Sequence, residues 1–69
     1  MIENKKSYFV RTTLRELIQD VDCSVLDVYY SMSGTEEVVN IYYNHRGTAI
    51  VPVTGYDLKE TAIAVLKSL

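Results

Sequence analysis

Two short segments of alternating apolar and polar residues, on either side of a glycine-containing turn, constrain the fold most strongly. They span residues 24–32 and 37–43, and Gly34 lies between them. Both are rich in the β-branched and aromatic residues that are typical of β-strands. Because successive side chains of a strand point to opposite faces, the pattern predicts an antiparallel hairpin with one face in a core and the other outside.

The alternation also assigns side chains to faces, and it divides two tyrosine pairs, residues 29–30 and 42–43, between them. The predicted core face carries Leu26, Val28, Tyr30, Met32, Val39, Ile41 and Tyr43. The predicted outer face carries Val25, Asp27, Tyr29, Ser31, Val38, Asn40 and Tyr42. The two core faces match only if the loop between the strands has an even length, either Gly34-Thr35 or Ser33 to Glu36. If the pairing of the strands shifted by one residue, Asn40 would be buried in place of Ile41.

A third strand follows the loop that runs from Asn44 to Gly47. Gly47 suits the left-handed position of a three-residue hairpin loop. That loop length places Ala49, Val51 and Val53 beside Tyr43, Ile41 and Val39 on the core face. The outward row is then Thr48, Ile50 and Pro52. Since Pro52 has no amide hydrogen to donate, the third strand is predicted to be an edge of the sheet.

An amphipathic helix is predicted on each side of the strands. Thr13 to Glu16 fits a capping box, and an apolar face follows at Leu14, Leu17, Ile18 and Val21. Asp57 caps a second helix, whose apolar stripe is Leu58, Ala62, Val65, Leu66 and Leu69. Residues 1–7 are predicted to be a flexible lead-in. Residues 8–10 are either a brief strand or the entry to the first helix, and they compete with a partner for the open sheet face.

These elements predict one α+β domain over residues 1–69. The order is α-β-β-β-α, with a three-stranded antiparallel meander and two helices packed on one face of it, since only this arrangement buries both helical stripes. A chain of 69 residues is marginally stable alone, so self-association remains open.

Composition narrows the environment and the partners. The single cysteine, Cys23, excludes an internal disulfide and indicates a reducing compartment; we interpret it as a buried small side chain. The polar N-terminus lacks the apolar segment of a signal peptide and no apolar run is long enough for a membrane span, so we expect a cytoplasmic protein. A net charge of −2 argues against general affinity for nucleic-acid backbones.

No residue pattern indicates catalysis, a cofactor or a metal. His45, the single histidine, has only Asn44 and Arg46 beside it in the predicted loop, where a general base would need a nucleophile or a carboxylate. The acidic residues Asp20, Asp22, Asp27, Glu36 and Glu37 lack the spacing of a calcium loop. We therefore expect a protein that is not an enzyme, and we interpret the acids as a solvated face.

The outer sheet face is the predicted binding surface. Tyrosine is enriched where protein interfaces concentrate their binding energy. The predicted interface residues are Tyr29, Tyr42, Ile50, Val25 and Val38. The expected partner is another protein, or a second copy of the chain in a homodimer. The alternative is an amphipathic face that only contacts water.

Two resemblances bear on this hypothesis. The α-β-β-β-α order resembles the double-stranded-RNA-binding domain, which implies nucleic-acid binding as the alternative function; a purely structural homodimer is a third hypothesis. The lysine cluster that opens the last helix of that family is replaced here by one lysine, Lys59, between Asp57 and Glu60. The segment 14–18 followed by the hairpin from Val25 to Tyr43 looks like the layout of small phage- and prophage-encoded accessory proteins, including some anti-CRISPR inhibitors. That resemblance implies an inhibitor that occupies a surface of a larger host protein, and it carries over no individual residue.

Overall fold

The predicted element order is confirmed. The structure, a computed structural model, describes residues 4–45 and 47–69. Its N-terminal helix consists of three consecutive segments, which are α1 (Lys5–Phe9), a π-helical segment (Val10–Leu14) and α2 (Arg15–Val21). Three strands and a final helix follow, namely β1 (Val25–Ser33), β2 (Glu36–Tyr43), β3 (Thr48–Pro52) and α3 (Leu58–Lys67). The chain is therefore an α+β domain of order α-β-β-β-α.

The N-terminal helix begins earlier than predicted. Asn4 is its N-cap, and its side-chain oxygen accepts hydrogen bonds from the amides of Lys6 (2.7 Å) and Ser7 (3.4 Å). The prediction of a flexible lead-in is therefore wrong for residues 4–7, while residues 1–3 lie outside the described residues. The predicted capping box at Thr13 is also wrong, because Thr13 lies inside the helix. An asparagine shortly before an apolar segment is itself a signal for a helix start, and Asn4 lies four positions before Tyr8, where such a segment begins.

A strict four-residue spacing explains the π-helical segment. Lys6, Val10, Leu14 and Ile18 are all buried, with exposed fractions of 7% for the lysine and 0% for the others. In a regular α-helix a four-residue repeat drifts by about 40° at each step, or about 120° over three steps. The wider π-helical turn reduces this drift and keeps the four side chains on one side. The predicted face is therefore only half right, because Leu17 and Val21 are exposed.

The three strands form one antiparallel sheet in the order β1-β2-β3. The first hairpin closes at the pair Ser33–Glu36, so its loop is the two-residue Gly34-Thr35, one of the two predicted lengths. The backbone angle φ is +63° at Gly34 and is not positive at Thr35. A glycine in this conformation at the first loop position is the requirement of a type II′ turn, which matches the twist of the strands.

A bulge at the start of β1 overturns part of the predicted core face. Val25 pairs with Tyr43 and Asp27 pairs with Tyr42, so Leu26 is the extra residue. An extra residue reverses the alternation on one side of the bulge. Val25, which was predicted on the outer face, is consequently 4% exposed and Leu26 is 57% exposed. Met32 was predicted in the core but is 55% exposed, since it lies at the hairpin end of β1.

The second hairpin keeps the predicted faces but differs in register. Val39 pairs with Val51 and Ile41 pairs with Ala49, two residues away from the predicted pairs. The Tyr43 amide donates to the Gly47 carbonyl at 2.8 Å, so the strands meet closer to the loop than expected. A shift of two residues preserves the side-chain alternation. β3 is an edge strand of the sheet, as the position of Pro52 predicted. Arg46, which belongs to the predicted loop, lies outside the described residues.

Both helices pack on one face of the sheet, as predicted. Val65 of α3 belongs to the same buried cluster as Leu14 and Val28, together with Val10, Ile18, Val25, Val39, Ile41, Tyr43, Val51 and Val53. Asp57 caps α3 in a capping box with Glu60, which confirms that prediction. Cys23 is exposed, so its predicted burial is wrong: it lies in the turn after α2 rather than in the core. Within the described residues, no helix is long and apolar enough to cross a membrane.

Candidate protein-binding surface

The sheet face opposite the helices carries three rows of side chains, here called the outer face. Pairing across the three strands defines the rows. They are Asp27–Tyr42–Thr48, Tyr29–Asn40–Ile50 and Ser31–Val38–Pro52. The outer face carries one carboxylate and no lysine or arginine, and both helices lie on the other side of the sheet.

Two tyrosines from neighbouring strands form one unit on the outer face. The ring centroids of Tyr29 and Tyr42 are 5.3 Å apart, with an angle of 32° between the ring planes. Their hydroxyl oxygens are 2.7 Å apart and share a hydrogen bond. The residues are diagonal neighbours, a position from which aromatic side chains on adjacent strands reach each other. Each ring therefore limits the freedom of the other, and the pair is held in one orientation.

The hydrogen bond between the tyrosines also affects their chemistry. It is the largest of the effects that raise the pKa of Tyr29 above its ordinary value, followed by burial, the charge of an ionised Tyr42 and the charge of Asp27. A tyrosine hydroxyl is already neutral at pH 7, and the raised pKa of Tyr29 moves its ionisation further from that range. The group therefore donates or accepts a hydrogen bond without adding charge.

The rest of the outer face is apolar at one edge and polar at its centre. Ile50 on β3 is 65% exposed. Asn40, between Ile50 and Tyr29, is only 9% exposed and donates from Nδ2 to Ser31 Oγ at 3.1 Å. Val38 is partly buried beside exposed Pro52. The outer face is therefore a small, mainly apolar surface whose central polar groups are hydrogen-bonded to one another.

The structure brings together four of the five predicted interface residues. Tyr29, Tyr42, Ile50 and Val38 lie on the outer face, although Asn40 separates Ile50 from Tyr29. Val25 does not belong to the surface, because the bulge turns its side chain into the core. The predicted competitor for this face, residues 8–10, is helical and packs on the opposite side through Val10.

A partly buried polar cluster near the hairpin end was not predicted. The Lys6 ammonium donates to Glu37 Oε1 at 2.9 Å and to the Val53 carbonyl at 2.8 Å. The Tyr30 hydroxyl donates to the same Glu37 oxygen at 2.7 Å, and the Gly55 amide donates to Oε2 at 2.9 Å. The cluster thus joins α1, β1, β2 and the turn before α3. Its members are far apart in sequence, so no local pattern indicated it.

The cluster fixes the charge states of its members. The Gly55 amide, the Lys6 ammonium and the Tyr30 hydroxyl together lower the pKa of Glu37 to about 2. Burial, and then the Glu37 carboxylate, raise the pKa of Tyr30 to about 12. Glu37 is therefore an acceptor and Tyr30 a donor across the neutral range. The ammonium, the hydroxyl and the Gly55 amide all contact internal acceptors, so the arrangement fastens the helix to the sheet rather than presenting a reactive group.

A cleft and a histidine lie apart from the outer face and the polar cluster. An open cleft of about 360 Å³ lies between the N-terminal helix and the start of α3, lined by Lys5, Tyr8, Phe9, Thr13 and Leu58. His45 is exposed, and its Nε2 lies 3.3 Å from the Asn44 side-chain amide, which is neither a nucleophile nor a carboxylate. Among residues 4–45 and 47–69, no three His, Cys, Asp or Glu side chains are grouped closely enough to hold a metal ion.

Comparisons with models of known protein families, with curated proteins and with solved structures each found no match to this chain.

Proposed function

We propose that this chain is a non-catalytic interaction domain that binds another protein through the outer face. The observation that carries the proposal is the preorganised Tyr29–Tyr42 pair on a sheet face that the two helices leave open. Tyrosines that are already ordered lose little conformational freedom when a partner covers them, which favours binding. Large amphipathic side chains of this kind are also the ones that contribute most at interface centres.

The charge of the outer face supports a protein partner over a nucleic acid. Its one charged residue is Asp27, whose Oδ1 lies 3.4 Å from Arg15 Nε. The Arg15 guanidinium beside this face is paired with the Asp27 carboxylate rather than offered to a phosphate backbone. In addition, α3 begins with the Asp57–Glu60 capping box where an RNA-binding helix would offer lysines. The partner that fits best is a flat apolar protein surface bordered by basic or hydrogen-bond-donating side chains.

The size of the outer face supports a larger partner over face-to-face pairing of two copies. Three strands about 4.8 Å apart and five residues at about 3.3 Å each span roughly 14 by 17 Å, or about 240 Å² in projection. A stable interface commonly covers about 800 Å² on each partner. The outer face therefore serves as the centre of an interface whose rim lies on neighbouring loops. A homodimer formed by this face alone is the weaker alternative.

A narrower form of the proposal is a phage- or prophage-derived inhibitor in the cytoplasm that occupies a surface of a larger host protein. It rests on the size of the domain and on its element order.

The test is a binding comparison between folded variants. The double variant Tyr29→Ala, Tyr42→Ala should lose a protein that wild type captures from host lysate. The matched control is Tyr56→Ala, because Tyr56 lies just before α3 with an exposed fraction of 42%, close to the 37% of Tyr42. Equal capture by wild type and the double variant, with matching circular dichroism, would refute the proposal. A steep loss of binding to mixed DNA and RNA with rising salt would favour the nucleic-acid alternative instead.

A further inference from the structure

The two edges of the sheet differ in how they are protected from pairing with another strand. An unprotected edge presents main-chain donors and acceptors that another strand can bind. β3 is only five residues long and includes Pro52. β1 is nine residues long and contains no proline. Whether each edge can pair with another strand depends on which of its main-chain amides and carbonyls point away from the sheet.

The hydrogen bonds of β2 identify those groups. The Glu37 carbonyl accepts from Val53, and the Tyr43 amide donates to Gly47, so the odd-numbered residues of β2 bind β3. The even-numbered residues then bind β1, through their partners at positions 27, 29, 31 and 33. The outward residues are consequently 28, 30 and 32 on β1, and 48, 50 and 52 on β3. Pro52, with no amide hydrogen, stands at an outward position.

Side chains cover the first half of the β1 edge. Gln19 Nε2 donates to the Leu26 carbonyl at 3.0 Å, at the bulge. The amide of Val28 donates to the side chain of Asp27 at 2.9 Å. These contacts leave fewer main-chain groups for a second strand, and the bulge disturbs the strand geometry that pairing requires.

The second half of the β1 edge has no such cover. Within residues 4–45 and 47–69, no side chain and no element outside the sheet donates to or accepts from the outward main-chain groups of Tyr30 and Met32. Residues 28–33 carry no charge and no proline, the two common means of blocking an edge. Met32 is 55% exposed beside this stretch.

We propose that this open stretch pairs with the same stretch of a second copy of the chain, antiparallel and about a two-fold axis near Ser31. Tyr30 of each copy then lies opposite Met32 of the other, and two amides and two carbonyls from each copy form four hydrogen bonds. The pairing uses only the open groups and leaves the Val28 and Leu26 contacts intact. The Met32 sulfur already accepts from the Tyr30 hydroxyl of its own chain at 3.7 Å. The pairing adds the Tyr30 ring of the other copy, a favourable contact for a thioether.

This pairing goes beyond the proposed function because it uses the edge of the sheet rather than its outer face. It would join two three-stranded sheets into one of six strands. The two outer faces would then be continuous, with about twice the projected area of one copy, or roughly 480 Å². Since only two residues of each copy supply the hydrogen bonds, we expect a weak dimer with a Kd on the order of 10⁻⁴ M.

The test combines sedimentation with amide hydrogen exchange. At about 1 mM chain this affinity places about 80% of the chains in dimers, against about 25% at about 20 µM. The amides of Tyr30 and Met32 should therefore exchange up to about fourfold more slowly at the higher concentration. The outward amide of Ile50 on β3 is the internal control and should not change. An exchange rate at residues 30 and 32 that is independent of concentration would overturn the proposal.

A proline variant tests the same edge by mutation. Met32→Pro removes an outward amide in the way that Pro52 does on β3, without removing a hydrogen bond to β2, so the fold should persist and the chain should sediment as a monomer. Met32→Thr keeps the amide and should still dimerise. Dimerisation of folded Met32→Pro at wild-type strength would overturn the proposal. The proposal would also be overturned if an added extended peptide slowed amide exchange at residues 30 and 32 while a higher concentration of the chain itself did not. Tyr29→Ala, Tyr42→Ala should still dimerise, which separates this proposal from the proposed function.

Discussion

Replacing Lys6 by methionine should destabilise the domain far more than the same replacement at Lys5. Lys6 is 7% exposed and its ammonium donates to the Glu37 carboxylate and to the Val53 carbonyl, whereas Lys5 is an exposed neighbour in the same helix. Methionine retains most of the length and the helix propensity of lysine, so the comparison isolates the loss of the ammonium group.

The expected magnitude follows from the contacts that Lys6→Met removes. A hydrogen bond to a charged group contributes about 1.5–3 kcal/mol, and a buried acceptor left without a donor costs about 1–3 kcal/mol. Because these ranges describe overlapping effects, we expect a loss of about 2–3 kcal/mol in the free energy of unfolding. A domain of 69 residues has a total stability on the order of 3–10 kcal/mol, so the loss is a large share of it.

Urea unfolding followed by circular dichroism measures the effect. With an m-value of about 1 kcal/mol per molar urea, the midpoint of Lys6→Met should fall by about 2–3 M, while that of Lys5→Met should stay within about 0.5 M of wild type. Equal midpoints for the two variants would show that the partly buried polar cluster around Lys6 does not fasten the helix to the sheet.

Two other predictions concern stability. Asp57→Ala removes the side chain that accepts from the Glu60 amide at 2.8 Å, so the unfolding free energy should fall by about 1 kcal/mol; an unchanged urea midpoint would mean that the capping box contributes nothing. Because the folded protein lowers the pKa of Glu37 from 4.5 to about 2, Glu37 stabilises the fold above pH 4.5 and loses this effect as the pH falls toward 2. The stability gap between wild type and Glu37→Gln should therefore narrow over that range in melts recorded at several pH values, whereas a gap independent of pH would contradict the assignment.

The features that could be predicted from the sequence are those specified by local pattern. Alternation in residues 37–43 placed Ile41 and Tyr43 in the core and Tyr42 outside, because each strand residue has only two faces to choose from. The Asp57 cap could also be predicted from local pattern, because the capping side chain of Asp57 and the Glu60 amide that it binds are only three residues apart. The Tyr29–Tyr42 contact followed once both strands were assigned.

The features that were missed depend on contacts between distant residues or on a change of period. The bulge at Leu26 reverses the alternation where Val25 meets Tyr43, and the residues of β1 alone give no sign of it. The π-helical segment replaces the expected 3.6-residue period, so the face that includes Leu17 and Val21 was assigned wrongly. The partner of Lys6 is 31 residues away, a distance at which only the folded chain identifies Glu37.

A site-specific crosslinking comparison tests the central claim most directly. A photoreactive benzophenone side chain placed at Ile50, on the outer face, is compared with the same group at Ile63 on α3, where the exposed fractions are 65% and 43%. The account predicts a protein adduct from position 50 and none from position 63. Excess unlabelled wild type should suppress that adduct, while excess Tyr29→Ala, Tyr42→Ala should not. An adduct from position 63 alone, or equal suppression by the double variant, would contradict binding through the outer face.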